Sequence, residues 1–295
     1  MIMYGLYNYK EYGGSSMKAL ITGASAGLGR DMAIQLSKRG FDLILVARRE
    51  DRLNELKEQL KNIVNVQVYP CDLTDENAVK ALYKEYCEQN IDVLINNAGF
   101  GSVGYFDDVT GNGPDGSNSY AVDSMDGLDS DINMIKTNVI ALHMLTKLFL
   151  RDFKRRDHGF ILNVASVAGF MPGPMMATYY STKNYVYRLS QAIFQEIKYS
   201  GRNVHISVLC PGPVKTEFNK VAKVSFGMPG ANSKRVAKYA LDKLFEGKFR
   251  IVPGVMPKLF FVFSRLIPDS WMMPMIGKFQ KAKIDNARDK KKVHK

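Results

Sequence analysis

The sequence predicts a doubly wound α/β fold, a parallel sheet of about seven strands with helices on both faces. Two observations predict it. Short apolar runs near residues 20, 44, 66, 93, 162 and 206 alternate with helical stretches, the pattern of a parallel sheet covered on both sides. The chain of 295 residues is also long enough to bury one such core.

The first strand is Lys18-Ala19-Leu20-Ile21, followed by Thr22-Gly23-Ala24-Ser25-Ala26-Gly27-Leu28-Gly29-Arg30 and a helical pattern to Gly40. Glycines at 23, 27 and 29 let the backbone turn tightly and approach a ligand closely. The helix behind them offers free N–H groups and a positive dipole end to a pyrophosphate. The bland account is an ordinary glycine-containing turn.

The second strand, Phe41 to Ala47, ends in Arg48-Arg49. An acidic residue there suits the free ribose hydroxyls of NAD, whereas arginine suits a 2′-phosphate, so NADP(H) is expected and NAD(H) less so. Arg49, Glu50, Asp51 and Arg52 also read as helix-start charges. After a third strand, Val64 to Tyr69, Asp72-Leu73 sits where an adenine edge is held or where a loop is capped.

A fourth strand, Ile91 to Ile95, runs into Asn96-Asn97-Ala98-Gly99, small residues and amides suited to close approach of a cofactor or to fixing a turn. Asn138 falls inside a long apolar-periodic helix, Asp129 to Phe153. A buried asparagine there must be hydrogen-bonded, to water or to neighbouring backbone.

The fifth strand, Ile161 to Ala165, delivers Ser166, and a helix from Met175 to Ser200 carries Tyr179 and Lys183. Residues four apart share a helix face, so phenol and ammonium converge. A neighbouring cation favours phenolate and is expected to pull the tyrosine from about 10 toward neutral, roughly 4 kcal/mol for three pKa units. Tyr180 has no such partner, since position 184 is asparagine. A sixth strand lies near residue 206, and Phe249 to Val252 is a candidate seventh.

Together these residues resemble the short-chain dehydrogenase/reductase family: Thr22-Gly23-x-x-x-Gly27-x-Gly29, Asn96-Asn97-Ala98-Gly99, Asn138, Ser166, Tyr179-x-x-x-Lys183 and Pro211-Gly212-Pro213-Val214-x-Thr216. The resemblance spans about Met17 to Ile251, most of the chain, with the motifs in the family's order. It implies a Rossmann-type fold and a set of roles. Tyr179 would be the general acid in carbonyl reduction and the base in alcohol oxidation. Lys183 would hold the nicotinamide ribose and lower the tyrosine pKa, Ser166 would stabilise charge on the substrate oxygen, and Asn138 would support a water leading to Lys183. Gly23, Ser25, Gly27, Leu28, Gly29, Arg48, Asp72, Leu73, Asn97, Ala98, Gly99, Pro211, Gly212, Val214 and Thr216 would line the cofactor, with hydride transfer being the cofactor's chemistry.

The expected organisation is an N-terminal extension at 1–16, a catalytic domain at 17–252 with a polar insertion at 107–129, and a C-terminal apolar segment and basic tail at 253–295. The extension has four tyrosines and lacks the basic start and apolar core of a secretory signal. The insertion reads as an exposed loop, either a lid or decoration. From Lys278 onward eight Lys/Arg face two Asp, a surplus of six and half of the net +12. Two readings of this end stay open: peripheral contact with an anionic membrane, or short helices packed over the cleft with a solvated tail. It is too interrupted for a membrane span, and no base-reading motif accompanies the charge, so no specific nucleic-acid partner is expected.

Three cysteines (Cys71, Cys87, Cys210) and scattered histidines predict no disulfide framework and no metal, and a reducing, cytoplasmic setting with peripheral membrane contact left open. Phe100, Phe170, Met171, Met175, Met176, Phe218 and Met228 are the expected pocket wall, an adaptable apolar lining for a lipophilic ketone or alcohol. The leading expectation is an NADP(H)-linked carbonyl reductase or alcohol dehydrogenase, a homo-dimer or tetramer by family resemblance. The alternative is a nucleotide-binding interaction protein on the same fold with little turnover.

Overall fold

The computed structural model describes residues 16–107, 125–217 and 230–293. Seven strands form one sheet: β1 (Lys18–Thr22), β2 (Asp42–Ala47), β3 (Val66–Pro70), β4 (Ile91–Asn96), β5 (Gly159–Val164), β6 (Val204–Leu209) and β7 (Arg250–Ile251). All neighbours are parallel, in the order β3-β2-β1-β4-β5-β6-β7. The chain reverses its direction of travel across the sheet between β1 and β4, and a crevice opens there at the strands' carboxyl ends.

Alternate side chains of each strand enter opposite layers. Ala19, Ile21, Leu43, Leu45, Val93, Ile95, Phe160 and Leu162 meet α1 (Gly27–Ser37), α2 (Glu50–Leu60) and α7 (Ser233–Phe245). Leu20, Ile44, Val46, Leu94, Ile161 and Ile206 meet α3 (Glu76–Tyr86), α5 (Leu142–Arg156) and α6 (Ala177–Ser200). Helix ends follow local chemistry. The Asp75 side chain accepts from Asn77 N at the start of α3, the Asn232 side chain accepts from Arg235 N at the start of α7, and Gly201 closes α6 at φ 63°.

Strand positions match the apolar runs to within two residues at either end. The helix expected over 129–153 begins earlier and is not uniform. It comprises α4 (Asp126–Ile135), a wide π-helical turn at Lys136–Ala141 and α5. The π turn places Asn138 inward with no exposed surface. The end of the expected insertion is therefore helix, while 108–124 lies outside the described residues, as does most of the N-terminal extension. The helix expected from Met175 begins at Ala177, because Met175 adopts φ 63°. At the C-terminus, α8 (Val255–Leu266) is followed by α9 (Asp269–Val293), longer than the short helices expected. Its Lys-, Ala- and Arg-containing end favours helix.

A buried polar cluster ties the layers together. Asn96 Nδ2 donates to Asn163 Oδ1 (2.9 Å) and Thr146 Oγ1 (3.0 Å), and Asn163 Nδ2 donates to Ser190 Oγ (3.0 Å). These bonds join β4 and β5 to α5 and α6. Asn163→Ala removes a hydrogen bond from each of three buried polar partners, Asn96, Thr146 and Ser190, and is expected to lower the unfolding free energy by about 2–4 kcal/mol. Denaturant unfolding checks this, and an unchanged midpoint would remove the cluster's structural role.

Candidate active site

A cleft of about 740 Å³ follows the carboxyl edge of the sheet, crossing the point where strand order reverses. Gly23, Ser25, Gly27, Leu28, Arg48, Asp72, Leu73, Asn97, Ala98, Gly99, Ser166, Tyr179, Lys183, Pro211, Gly212, Val214 and Thr216 all line it. Two anticipated residues stand behind the wall instead. Gly29 does not face the cleft, and a Cβ there would run into the Gly23 carbonyl and the Asn97 amide. It is therefore a packing requirement, letting the first turn of α1 rest against the β4 loop. Asn138 is the second.

The first turn of α1 suits an anion. Its N-cap residue, Ala26, supplies no side-chain bond, and no acidic residue occupies the first turn. The helix's leading N–H groups and dipole thus face the cleft without a competing carboxylate in their own first turn. The β1 and β4 loops are locked together. Thr22 Oγ1 accepts from Asn97 N (3.0 Å) and Ala98 N (3.1 Å), and Asn97 Nδ2 donates to Thr22 O (3.0 Å). Asp72 Oδ1 accepts from both Thr74 N and Thr74 Oγ1 at 3.0 Å, so one carboxylate oxygen serves its own loop.

At the far end of the cleft, Arg48 is exposed on its rim. Arg49, read from sequence as a helix-start charge, also lines the cleft. Its guanidinium donates to Ser25 Oγ (3.2 Å) and pairs with Glu217 (2.9 Å). Glu217 was missed by sequence reasoning, and no local signal marks it, since the contact joins residues far apart in the chain.

Lys183, Tyr179 and Ser166 meet on the opposite wall. Tyr179 and Lys183 come from one face of α6 and Ser166 from the end of β5, where it caps a short turn by accepting from Ala168 N (3.2 Å). Ser166 hydrogen-bonds the Tyr179 hydroxyl. Lys183 Nζ donates to Val164 O (3.0 Å) and lies 5.9 Å from the Tyr179 ring centre. Gly99 makes this approach possible, because a Cβ there would lie 2.8 Å from Asn138 Oδ1 and 3.3 Å from Lys183 Nζ.

The expected acidic phenol is corrected. Burial pushes Tyr179 up to about 12, opposed by the Ser166 bond and reinforced by Tyr180. Burial also lowers Lys183 to about 8. Each group loses hydration in its charged form, and that loss is the largest influence on both. The Asn138 side chain is occupied by protein. It accepts from Phe100 N (3.1 Å) and donates to Phe100 O (2.9 Å) and Thr182 Oγ1 (3.1 Å), fixing the loop after β4 against α6.

Of the seven residues expected to form the pocket wall, two line the cleft. Phe100 and Met176 line the cleft. Phe170 and Met171 instead pack into the core beside Tyr187, and Met175 does not line the cleft. Phe218 and Met228 lie outside the described residues. Ser130, Asn133 and Thr137 add a polar strip that sequence reasoning missed: they lie in the helix expected over 129–153, but its apolar period does not mark which polar residues face the cleft. Tyr180, no partner for a lysine, lines the cleft and accepts from Gln280 Nε2 of α9 (3.0 Å).

The family model for short chain dehydrogenases matches residues 17–224. The very-long-chain 3-oxoacyl-CoA reductase of Mus musculus is 28% identical over 220 residues, covering 73% of this chain and 65% of its own length. The protein of that name from Podospora anserina is 31% identical over 245 residues, covering 80% of this chain and 66% of its own. This chain thus spans about two thirds of those relatives. Among solved structures, a short-chain dehydrogenase from Sphingobium yanoikuyae in complex with NADPH superposes with a TM-score of 0.71 at 28% identity, over 85% of this chain and 93% of its own. The bulky-bulky ketone specific alcohol dehydrogenase from Comamonas testosteroni superposes at 0.68 with 25% identity, again over 85% and 93%. A Burkholderia phymatum enzyme in complex with NAD superposes at 0.70 with 22% identity, over 85% and 92%, a likeness of fold alone. With its parallel sheet, its glycine-lined crevice and a family match over most of its length, this chain belongs to the short-chain dehydrogenases, a family of oxidoreductases.

Proposed function

We propose that the protein is an NADP(H)-linked reductase of lipophilic ketones or aldehydes, also able to oxidise the matching alcohols. The observation that carries this reading is the meeting of Ser166, Tyr179 and Lys183 on one wall of a cleft whose other wall suits a dinucleotide. The residues fit such a cofactor: the first turn of α1, with no side-chain cap, would hold the pyrophosphate, and Arg48, with Arg49 beside it, would hold a 2′-phosphate. The bound cofactor supplies hydride, which the protein itself cannot.

The chain's own part is position and proton supply. Ser166 holds the substrate oxygen and donates to it as negative charge builds. Tyr179, kept protonated by burial, is in the form needed to deliver a proton to that oxygen. Lys183, with its value near 8, still carries its charge at neutral pH and favours the phenolate left behind. Asn138 keeps the Phe100 loop against α6 and so sets the cleft's width. Phe100, Met176 and Tyr180 give the substrate an apolar wall, in keeping with relatives named for very-long-chain 3-oxoacyl and bulky ketone substrates. The exposed stripe Leu128, Ile132 and Ile135 on α4 is consistent with a homo-oligomer, and three thiol-bearing residues suit a reducing cytoplasm.

Three outcomes test this reading. Tyr179→Phe is expected to lower the NADPH-consumption rate with 3-oxoacyl thioesters and bulky ketones by at least about 10²-fold, and an unaffected rate would remove Tyr179 from proton transfer. In the reductive direction kcat/KM should decline as pH rises through about 8, since the Lys183 ammonium is present below its pKa and lost above it. A flat profile to pH 9 would mean that this charge is not needed. Arg48→Asp is expected to raise KM for NADPH on the order of tenfold or more with little change for NADH. An unchanged ratio of the two would move the 2′-phosphate away from Arg48.

A further inference from the structure

Helix α8 carries its apolar residues on the wrong side for a soluble domain. None of its residues is buried. Phe260 and Phe261 reach the core only partly, where the Arg250 guanidinium lies 3.8 Å over the Phe261 ring and Phe261 meets Phe170 edge-on at 4.8 Å. On the opposite side Leu259, Val262, Phe263 and Leu266, spaced three and four apart, are exposed, Leu266 to 73%. Helix α9 continues the surface. Met272, Ile276 and Gln280 turn inward at intervals of four, leaving Trp271 (76% exposed) and Met275 outside. An apolar face of this extent rimmed by charge marks an interaction site.

Charge decides the occupant. Lys278 and Lys281 are exposed on α9, Lys258 and Arg265 are exposed on the inner side of α8, where they lie over the Tyr239 and Phe261 rings, and the sequence from Lys278 onward has a surplus of six positive charges. Two copies meeting through this face would bring like-charged ends together, whereas an anionic bilayer matches the apolar face with acyl chains and the rim with phosphates. No helix among the described residues is long and apolar enough to cross a membrane, so the fit is to a surface. Helix α9 also touches the cleft, where Gln280 donates to the cleft-lining Tyr180.

We propose that α8 and α9 form a docking surface for anionic lipid bilayers, seated so that the cleft's apolar side lies near the membrane. This surface does not depend on the reductase reading, and its test reads binding alone. Trp271 is the chain's one tryptophan, so its emission reports the surface directly. With full-length protein, vesicles of phosphatidylcholine plus phosphatidylglycerol are expected to shift Trp271 emission to the blue and to carry the protein down on sedimentation. Vesicles of phosphatidylcholine alone should do neither to a comparable degree. Val262→Glu with Phe263→Glu should abolish both effects. Lys278→Glu with Lys281→Glu should weaken them by about tenfold or more. The far-ultraviolet circular dichroism and the denaturant unfolding midpoint should be unchanged in both variants, which separates loss of docking from loss of folding. Equal binding to neutral vesicles, or no binding to either kind, would overturn the proposal. A blue shift that grows with protein concentration in the absence of lipid, with a doubled mass in sedimentation, would overturn it in favour of a second copy.

Discussion

The site depends on the hydrogen-bonded seam joining the carboxyl ends of β1, β4 and β5. Thr22 Oγ1 accepts two backbone donors from the β4 loop, and Asn97 returns its amide to the Thr22 carbonyl. One residue earlier, Asn96 reaches Asn163 on β5. Parallel strands hold their neighbours through slanted, evenly spaced bonds that stop where the strands stop. Side-chain bonds beyond that point keep the emerging loops from drifting. The glycine turn, the Ala98-Gly99 wall and the Ser166 turn are all hung from this seam, so their spacing across the crevice is set before any ligand arrives.

Burial does a second job at the same place. The groups gathered on α6 are nearly sealed from solvent, and this holds the phenol in its acid form and loosens the ammonium's proton. Proximity in sequence suggested mutual attraction as the ruling effect. In the folded protein, desolvation of each partner is larger, because their separation is several ångströms while each loses most of its water. The tyrosine is thus poised as a donor whose strength depends on what else enters the cleft.

Much of this was legible in the chain itself. Strands showed as apolar runs because a doubly covered sheet leaves no polar face to confuse the pattern, and the glycine and asparagine turns showed because their small side chains serve close contacts. What stayed hidden was non-local or local in an unusual way. Arg49 finds Glu217 only through the fold. Phe170 and Met171 look like cleft lining by position yet turn into the core beside Tyr187, because apolar character does not specify direction. The wide turn around Asn138 breaks the regular helical period, so periodicity alone could not report its presence, although the burial of that asparagine was anticipated.

The strand order carries a consequence for biosynthesis. β1 is flanked by β2 on one side and by β4 on the other. A nascent chain leaving the ribosome can complete the first pairing early, but one margin of β1 stays open until residues beyond Asn96 have emerged. Pairings over such sequence distances form slowly, and open strand margins invite association with other chains. The amino-terminal half therefore has most need of chaperone protection during the interval before β4 is translated.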